Sequence, residues 1–406
     1  MKQAPHIAAA IVALFASVMA AIAFNIYANL FEEKYVHAVA TVDHSEISNG
    51  SALERAALRQ DDLLSIYGAS ELVLLDTKYQ ANRFFKTYPT GFMVFNVATK
   101  GGSALTLAQK FAGLGEDLRG RRIVLALGPA IMTMAPYGEV NSRHYDANFS
   151  ELNALEMMFS TDLHMDTKVH AAKRMLNFPE SIQDKPFLKF TLENLAGESI
   201  LNQVIYYLSW PLGRLQIAIV RLQDHYATVD FIRHLSSENT TITRQPAEID
   251  WEALVPIAEQ EQIENTVSNP YGVDDSQWPK IKELFQNPVA PGSKDTEFID
   301  DVELAREWND LEIALQVLKE LDADVVIMST PMNVPLWETI GVSEEAQNFY
   351  YEKLHTVVEP YGMPVIDMHE YGTIPYFSMD LASHTSRKGW IYVNQTLDGI
   401  FHGTLP

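Results

Sequence analysis

The stretch Leu63-Leu64-Ser65-Ile66-Tyr67-Gly68-Ala69-Ser70-Glu71-Leu72 decides how this chain is read. Its first five residues are largely apolar and form a short strand. Gly68 and Ala69 then turn the chain and pass it to Ser70-Glu71, a pair suited to open a helix. A strand, a small-residue turn and a helix make the repeating unit of a parallel α/β sheet. The unit recurs. Gly91-Phe92-Met93-Val94-Phe95-Asn96-Val97 is a second strand, and Gly101-Gly102 leads into a helix near residues 103–118. Ile123-Val124-Leu125-Ala126-Leu127 is a third strand, ended by Gly128-Pro129. After a long interruption the pattern resumes with a strand at 324–328, a helix at 348–359 and the strand Pro364-Val365-Ile366-Asp367. A closing helix follows at 389–401. The fold class is therefore α/β, a parallel sheet with helices on its faces, built from both ends of the chain. The sequence has no internal repeat and no low-complexity tract.

The interruption has two parts. Residues 151–237 carry apolar positions at helical spacing and few Gly or Pro, which predicts a helical insertion. Its most apolar part, residues 200–220, reads as a buried helical hairpin, because Pro211, Gly213, Arg214 and Gln216 interrupt it. Residues 248–324 are strongly acidic and read as a solvated segment, with helices near 277–285 and 300–321. The helical and acidic insertion runs from about 150 to 322.

Residues 7–24 are an uninterrupted, almost wholly apolar run, and the uncharged stretch continues to Phe31. That meets the length of about 20 residues needed to cross a bilayer. Lys2 precedes the run and Glu32-Glu33 follow it, which predicts a single-pass anchor with its N-terminus in the cytoplasm and the rest of the chain outside. Ala21-Ile22-Ala23 offers a signal-peptide cleavage site as the alternative. The expected organisation is a cytoplasmic tip at 1–6, an anchor at 7–31, a spacer at 32–60 and an extracytoplasmic domain at 61–406.

Composition removes several function classes. The 406 residues hold 53 acids against 30 Lys and Arg, a formal charge of −23, which leaves nothing to neutralise nucleic-acid phosphates. There is no cysteine, so disulfides, thiolate metal sites and cysteine nucleophiles are absent together. No His-x-x-x-His pair, dinucleotide fingerprint or phosphate loop is present, and no metal or cofactor is expected.

Ser70 follows the first strand at the carboxyl edge of the sheet, where open α/β folds bind ligands. It reads either as a plain N-cap or as a nucleophile flanked by small residues. A helix starting there would aim free N–H groups at an oxyanion. A serine nucleophile needs a base and an acid that orients the base. Among 12 histidines, His384 stands out because Asp380 precedes it by four residues. His369, after Asp367, is the second candidate base. Gly101 and Gly102 follow the next strand at the same edge, either as oxyanion donors or as a plain helix-entry turn.

Three separated segments together resemble the DltD family of D-alanyl-lipoteichoic acid biosynthesis proteins. Gly68-Ala69-Ser70-Glu71-Leu72 resembles the family's Gly-Ser-Ser-Glu block. Pro331-Met332-Asn333 with Trp337, then Tyr350-Tyr351-Glu352-Lys353-Leu354, resembles its Pro-Val-Asn stretch and following helix. Pro375-Tyr376-Phe377, Asp380, His384 and Lys388-Gly389-Trp390 resemble its C-terminal block. The resemblance implies an SGNH-hydrolase-like, three-layer fold and a triad of Ser70, His384 and Asp380. It implies a part in esterifying teichoic acid with D-alanine, beside a DltB-like membrane-bound O-acyltransferase and a D-alanyl carrier protein. Three residues separate Asp380 from His384 where the family has two, and Asp367 is the reserve acid. The family's Ser-Pro-Gln-Trp segment is replaced by Gly128-Pro129-Ala130-Ile131, and its Gly-rich block by Ala98-Thr99-Lys100-Gly101-Gly102-Ser103. The expected protein is a membrane-anchored serine acyltransferase or esterase, with backbone N–H groups of Ser70, Gly101 and Gly102 at the oxyanion. A non-catalytic scaffold for a membrane acyltransferase and an extracytoplasmic carbohydrate esterase are the alternatives.

Overall fold

The structure, a computed structural model, describes residues 5–42, 47, 49–133, 142–197, 199–235 and 248–406. Five strands form one sheet: β1 (Leu63–Gly68), β2 (Met93–Ala98), β3 (Arg122–Leu127), β4 (Asp324–Ser329) and β5 (Val365–Asp367). Their order is β2-β1-β3-β4-β5 and every pairing is parallel. The register sets Gly68 beside Ala98 and Leu127 beside Ser329. All five carboxyl ends therefore share one edge. The chain leaves β1 outward for β2 and returns across β1 to β3, so the crevice above β1 and β3 is the switch point where such sheets bind ligands.

Both faces of the sheet are covered, which is why β1 and β2 are buried along their whole length and read as continuous apolar runs. Tyr67, Phe95, Leu125 and Ile327 face one apolar cluster, while Ile66, Val94, Val124 and Val326 face the other. The helices that matter for the site are α1 (Pro5–Val39), α2 (Ala52–Leu58), α3 (Ala81–Thr87), α4 (Ala104–Leu114), α5 (Glu151–Met158), α6 (Ile200–His234), α7 (Trp251–Ile263), α8 (Glu307–Glu320), α9 (Glu344–Val358) and α10 (Arg387–Phe401). Helices α4 and α8 pack together against the first face, and α7 packs on α10 over the second.

Three expectations are corrected. The acidic segment is not a solvated insertion throughout: α8 is a core helix that leads directly into β4, and Glu307 and Asp310 on it are buried. Arg174 holds Asp310 through two hydrogen bonds of 2.7 and 3.0 Å. The expected hairpin at 200–220 is instead part of one 35-residue helix, α6, with Pro211 inside it and much of its apolar surface exposed. The expected spacer is largely structural. Helix α1 continues past Phe31 to Val39, and Val36, Val39, Leu53 and Ala57 join the core. Residues 1–4 of the expected tip, 43–46 and 48 of the spacer and 198 and 236–247 of the insertion lie outside the described residues. Among the described residues, one helix, His6–Val39, is long and apolar enough to cross a membrane.

Glu307 links the core to the sheet edge. Its Oε1 accepts the Ala104 N–H at 2.5 Å, at the start of α4 and just after Gly101-Gly102. Burial, reinforced by the Asp310 carboxyl, pushes Glu307 from 4.5 up to about 8. Between those two values the native state keeps a proton that the unfolded chain has lost, so this group lowers stability as pH rises. Glu307→Gln retains the acceptor and removes the titration. Thermal melts from about pH 5 to 8 are expected to show the wild type losing Tm relative to Glu307→Gln as pH rises; parallel curves would refute it.

Candidate active site

The turn after β1 positions Ser70. Residues Ser70–Leu72 form a single 3₁₀ turn, not the start of a longer helix, so no helix dipole is aimed at this point. The turn is clamped from both sides. The Leu72 carbonyl accepts the side-chain amides of Gln80 at 2.7 Å and Asn96 at 3.2 Å. Beneath it, the buried Glu71 carboxylate accepts the Ala69 N–H at 2.6 Å. Burial pushes the Glu71 carboxyl above its ordinary range, while the Ala69 and Glu71 N–H groups oppose that shift.

His384 arrives from the other end of the chain, 314 residues away in sequence. Its Nε2 lies 2.9 Å from Ser70 Oγ, and its Nδ1 lies 2.6 Å from Asp380 Oδ2. The other oxygen of Asp380 accepts the N–H groups of Ala382 at 3.0 Å and His384 at 3.3 Å. A carboxylate oxygen only accepts, so Nδ1 carries the imidazole proton and Nε2 is left to accept from the Ser70 hydroxyl. Asp380 is buried and Ser70 is half-buried. The segment is pinned to the short helix Val334–Thr339 after β4, where Trp337 Nε1 donates to the Leu381 carbonyl at 3.1 Å, and it closes on itself through the Met379 N–H, which donates to the His384 carbonyl at 2.8 Å.

Gly101 and Gly102 stand opposite the turn. A Cβ built on Gly102 would lie 3.5 Å from the Ala69 Cβ. Gly101 has φ +73°, a conformation that favours glycine. The Gly102 N–H, however, donates to the Thr99 carbonyl at 3.0 Å and closes its own turn, so it does not serve as the expected oxyanion donor in this conformation. A cavity of about 460 Å³ opens beside these segments, lined by Val73, Leu74, Asn82, Arg83, Ala98 and Lys100 among others.

The second candidate base sits elsewhere. Asp367 Oδ1 accepts the His369 N–H at 2.8 Å, and Asp367 Oδ2 lies 3.2 Å from His355 Nε2. The reserve acid is thus engaged by two other histidines rather than by His384. His225 is buried against Glu32 at 2.7 Å, and His164 pairs with Glu320 at 3.0 Å.

The DltD protein family profile matches residues 40–402. The chain belongs to the DltD family. It is 25% identical over 372 residues to protein DltD of Bacillus subtilis (strain 168), covering 91% of this chain and 90% of that one. It is 23% identical over 371 residues to protein DltD of Staphylococcus aureus (strain NCTC 8325 / PS 47), covering 91% and 89%.

Two departures from the DltD pattern lie at this site. Between Asp380 and His384, Ser383 takes φ +63° and turns the chain so that the ring meets the carboxylate. Gly128 stands where the DltD pattern begins Ser-Pro-Gln-Trp. A Cβ there would come to 3.4 Å from Glu71 Oε2, an ordinary contact distance, so the small residue borders the buried carboxylate without being required by it. Glu71, Gln80, Asn96 and Trp337 were not singled out as site residues by sequence reasoning. A buried Glu in the first turn after a serine looks the same in sequence as an ordinary N-terminal acid.

Gly68 tests how tightly this arrangement is built. An added methyl would meet Glu71 Oε1 at 2.6 Å, Leu72 Cδ1 at 2.7 Å and the Ala126 carbonyl at 3.2 Å. Gly68→Ala is expected to cost about 1–3 kcal/mol in urea denaturation. Gly128→Ala, whose methyl meets nothing closer than 3.4 Å, is expected to cost clearly less. Equal midpoints for the two variants would contradict this packing.

Proposed function

We propose that this chain is an SGNH-hydrolase-like serine acyltransferase or esterase, anchored in the cell membrane by α1 with its catalytic domain outside the cytoplasm. Its task would lie in the D-alanylation of teichoic acid or a related envelope polymer, and membership of the DltD family supports that part. The observation that carries the chemistry is the continuous chain Ser70 Oγ, His384 Nε2, His384 Nδ1 and Asp380 Oδ2, with links of 2.9 and 2.6 Å.

In this reading the Ser70 oxygen attacks the carbonyl carbon of an ester- or thioester-linked acyl group while His384 takes its proton. Backbone N–H groups of Ser70 and Gly101 face the developing oxyanion. The bond to the leaving group breaks, and His384 returns the proton to that group. An acceptor hydroxyl then loses its proton to His384, attacks the acyl carbon and displaces Ser70, which regains its proton. A DltB-like membrane-bound O-acyltransferase and a D-alanyl carrier protein are the expected partners. With water in place of the polymer hydroxyl, the same residues act as an esterase. The engaged Gly102 N–H favours one other reading, a non-catalytic scaffold that presents polymer to a membrane acyltransferase.

A fluorophosphonate probe separates these readings. The full chain is expected to form one adduct, on Ser70, read by mass spectrometry. Ser70→Ala abolishes it, and His384→Ala slows it by at least about a thousandfold. Asp380→Asn is expected to fall between wild type and His384→Ala, while Asp367→Asn labels at the wild-type rate. Labelling that persists in Ser70→Ala sinks the mechanism. A folded wild type that never labels, in native membranes as well as in detergent, supports the scaffold instead.

A further inference from the structure

Helix α6 carries an apolar seam that the body of the protein does not use. Leu201, Leu208, Leu215 and Leu222 recur every seven residues, and Ile205, Leu212, Ile219 and Tyr226 recur every seven residues between them. Six of these eight are half to three-quarters exposed, Leu208 most of all at 76%. Tyr206, Ser209, Gly213 and Ile217, on the opposite side, are buried against the body. The Gly213 backbone approaches Phe159, and the Tyr206 hydroxyl donates to the Met158 carbonyl at 2.6 Å. A surface helix normally turns its apolar stripe inward. This one has a second stripe facing outward.

The alternating spacing of four and three fits a 3.5-residue repeat sustained over more than three heptads, the signature of a helix that packs against another helix. Ile205, Leu212, Ile219 and Tyr226 fall at a positions, and the four leucines fall at d. Isoleucine stands at two of the four a positions, and isoleucine at a with leucine at d favours two parallel strands over larger bundles. The seam from Leu201 to Tyr226 is about 38 Å long. At a helix width of about 10 Å it covers roughly 400 Å², within the range of the largest apolar patch on a typical monomer, which is often functional.

Charge and placement select the occupant. Residues 200–223 contain two arginines and no acid, in a chain with 53 acids. Arg221 is turned toward Glu156 of α5 at 2.6 Å. This face is thus spared the like-charge repulsion that opposes self-association elsewhere on the surface. At its base α6 runs antiparallel to α1: Glu32 meets His225 at 2.7 Å, and Tyr27 meets Arg233 at 3.0 Å. Two copies held by α1 in one membrane present α6 in the same direction. A two-fold axis along the membrane normal then brings the two seams together in parallel. We propose that this chain forms a homodimer through parallel, seam-to-seam packing of α6.

The absence of cysteine makes the test clean. Leu208→Cys places one thiol at a d position, where a parallel dimer sets each residue beside its own copy. Full-length protein in nanodiscs, oxidised with copper phenanthroline, is expected to form a disulfide dimer in high yield. Glu193→Cys, exposed on the neighbouring helix Pro186–Ala196, is expected to form little. By light scattering in detergent the wild type should have the mass of two chains. Leu208→Glu with Leu215→Glu should weaken association at least a hundredfold with unchanged thermal melting, since both side chains are mostly exposed. A monomeric wild type, cross-linking no faster than in Glu193→Cys, or a glutamate variant that stays dimeric would each overturn the proposal. So would quenching of a fluorophore on Leu208→Cys by nitroxide-labelled lipid, which would assign the face to the bilayer.

Discussion

Parallel pairing of β1 with β3 and of β3 with β4 is the constraint on which the rest of the molecule depends. A parallel sheet is stable only when both faces are buried, and its strands all end at one edge. Segments more than 250 residues apart in sequence, the Ser70 turn and the chain after β4, are thereby delivered to one place. His384 is not on a strand. It reaches that edge because the segment after β5 is tied to other elements, through Trp337 to the Leu381 carbonyl and through the Asp274 N–H to the Met379 carbonyl. Loss of the sheet register would separate Ser70 from His384 without altering either residue.

Buried carboxylates then fix the fine geometry. Glu71 holds the Ala69 N–H, Glu307 holds the Ala104 N–H, and Asp380 holds the N–H groups of Ala382 and His384. Each is a costly group to bury, as the upward shifts of Glu71 and Glu307 record. Each also fixes a backbone segment without filling the crevice. Gly68 clears the space around Glu71, so this glycine and the carboxylate form one device. A site of this kind is held rigid by what lies beneath it, leaving the crevice open to a ligand.

Much of this was legible in the sequence. The strands were visible because two-sided burial writes short apolar runs bounded by glycine, as at Leu63–Gly68. Asp380 and His384 were visible because four residues is one turn. The φ of Ser383 was not, since a serine in the left-handed region has no sequence mark. Acid counting misread α8 because composition cannot separate the buried Glu307 and Asp310 from the exposed acids around them. Pro211 misled in the same way. It reads as a helix break, yet it is exposed on the outer side of α6, and the helix runs through it.

The continuity of α1 changes how the site can meet a substrate. A flexible spacer over residues 32–60 would let the domain roam on the order of 30 Å from its anchor. The helix instead runs unbroken from Pro5 to Val39 and ends inside the core, with Val36 and Val39 fully buried. Arg59 ties it further, to Glu33 at 3.0 Å and Asn29 at 3.3 Å. A helix able to cross a membrane is therefore one rigid piece with the sheet that carries Ser70. That fixes the orientation of Ser70 relative to α1, so under the proposed function the acyl group and the acceptor would be brought to the site. Holding one reactant in place in this way removes part of the positional entropy of the encounter. Under the proposed function, a site held at constant depth would suit acyl transfer from a second membrane-bound protein better than hydrolysis of a polymer at varying distance from the membrane.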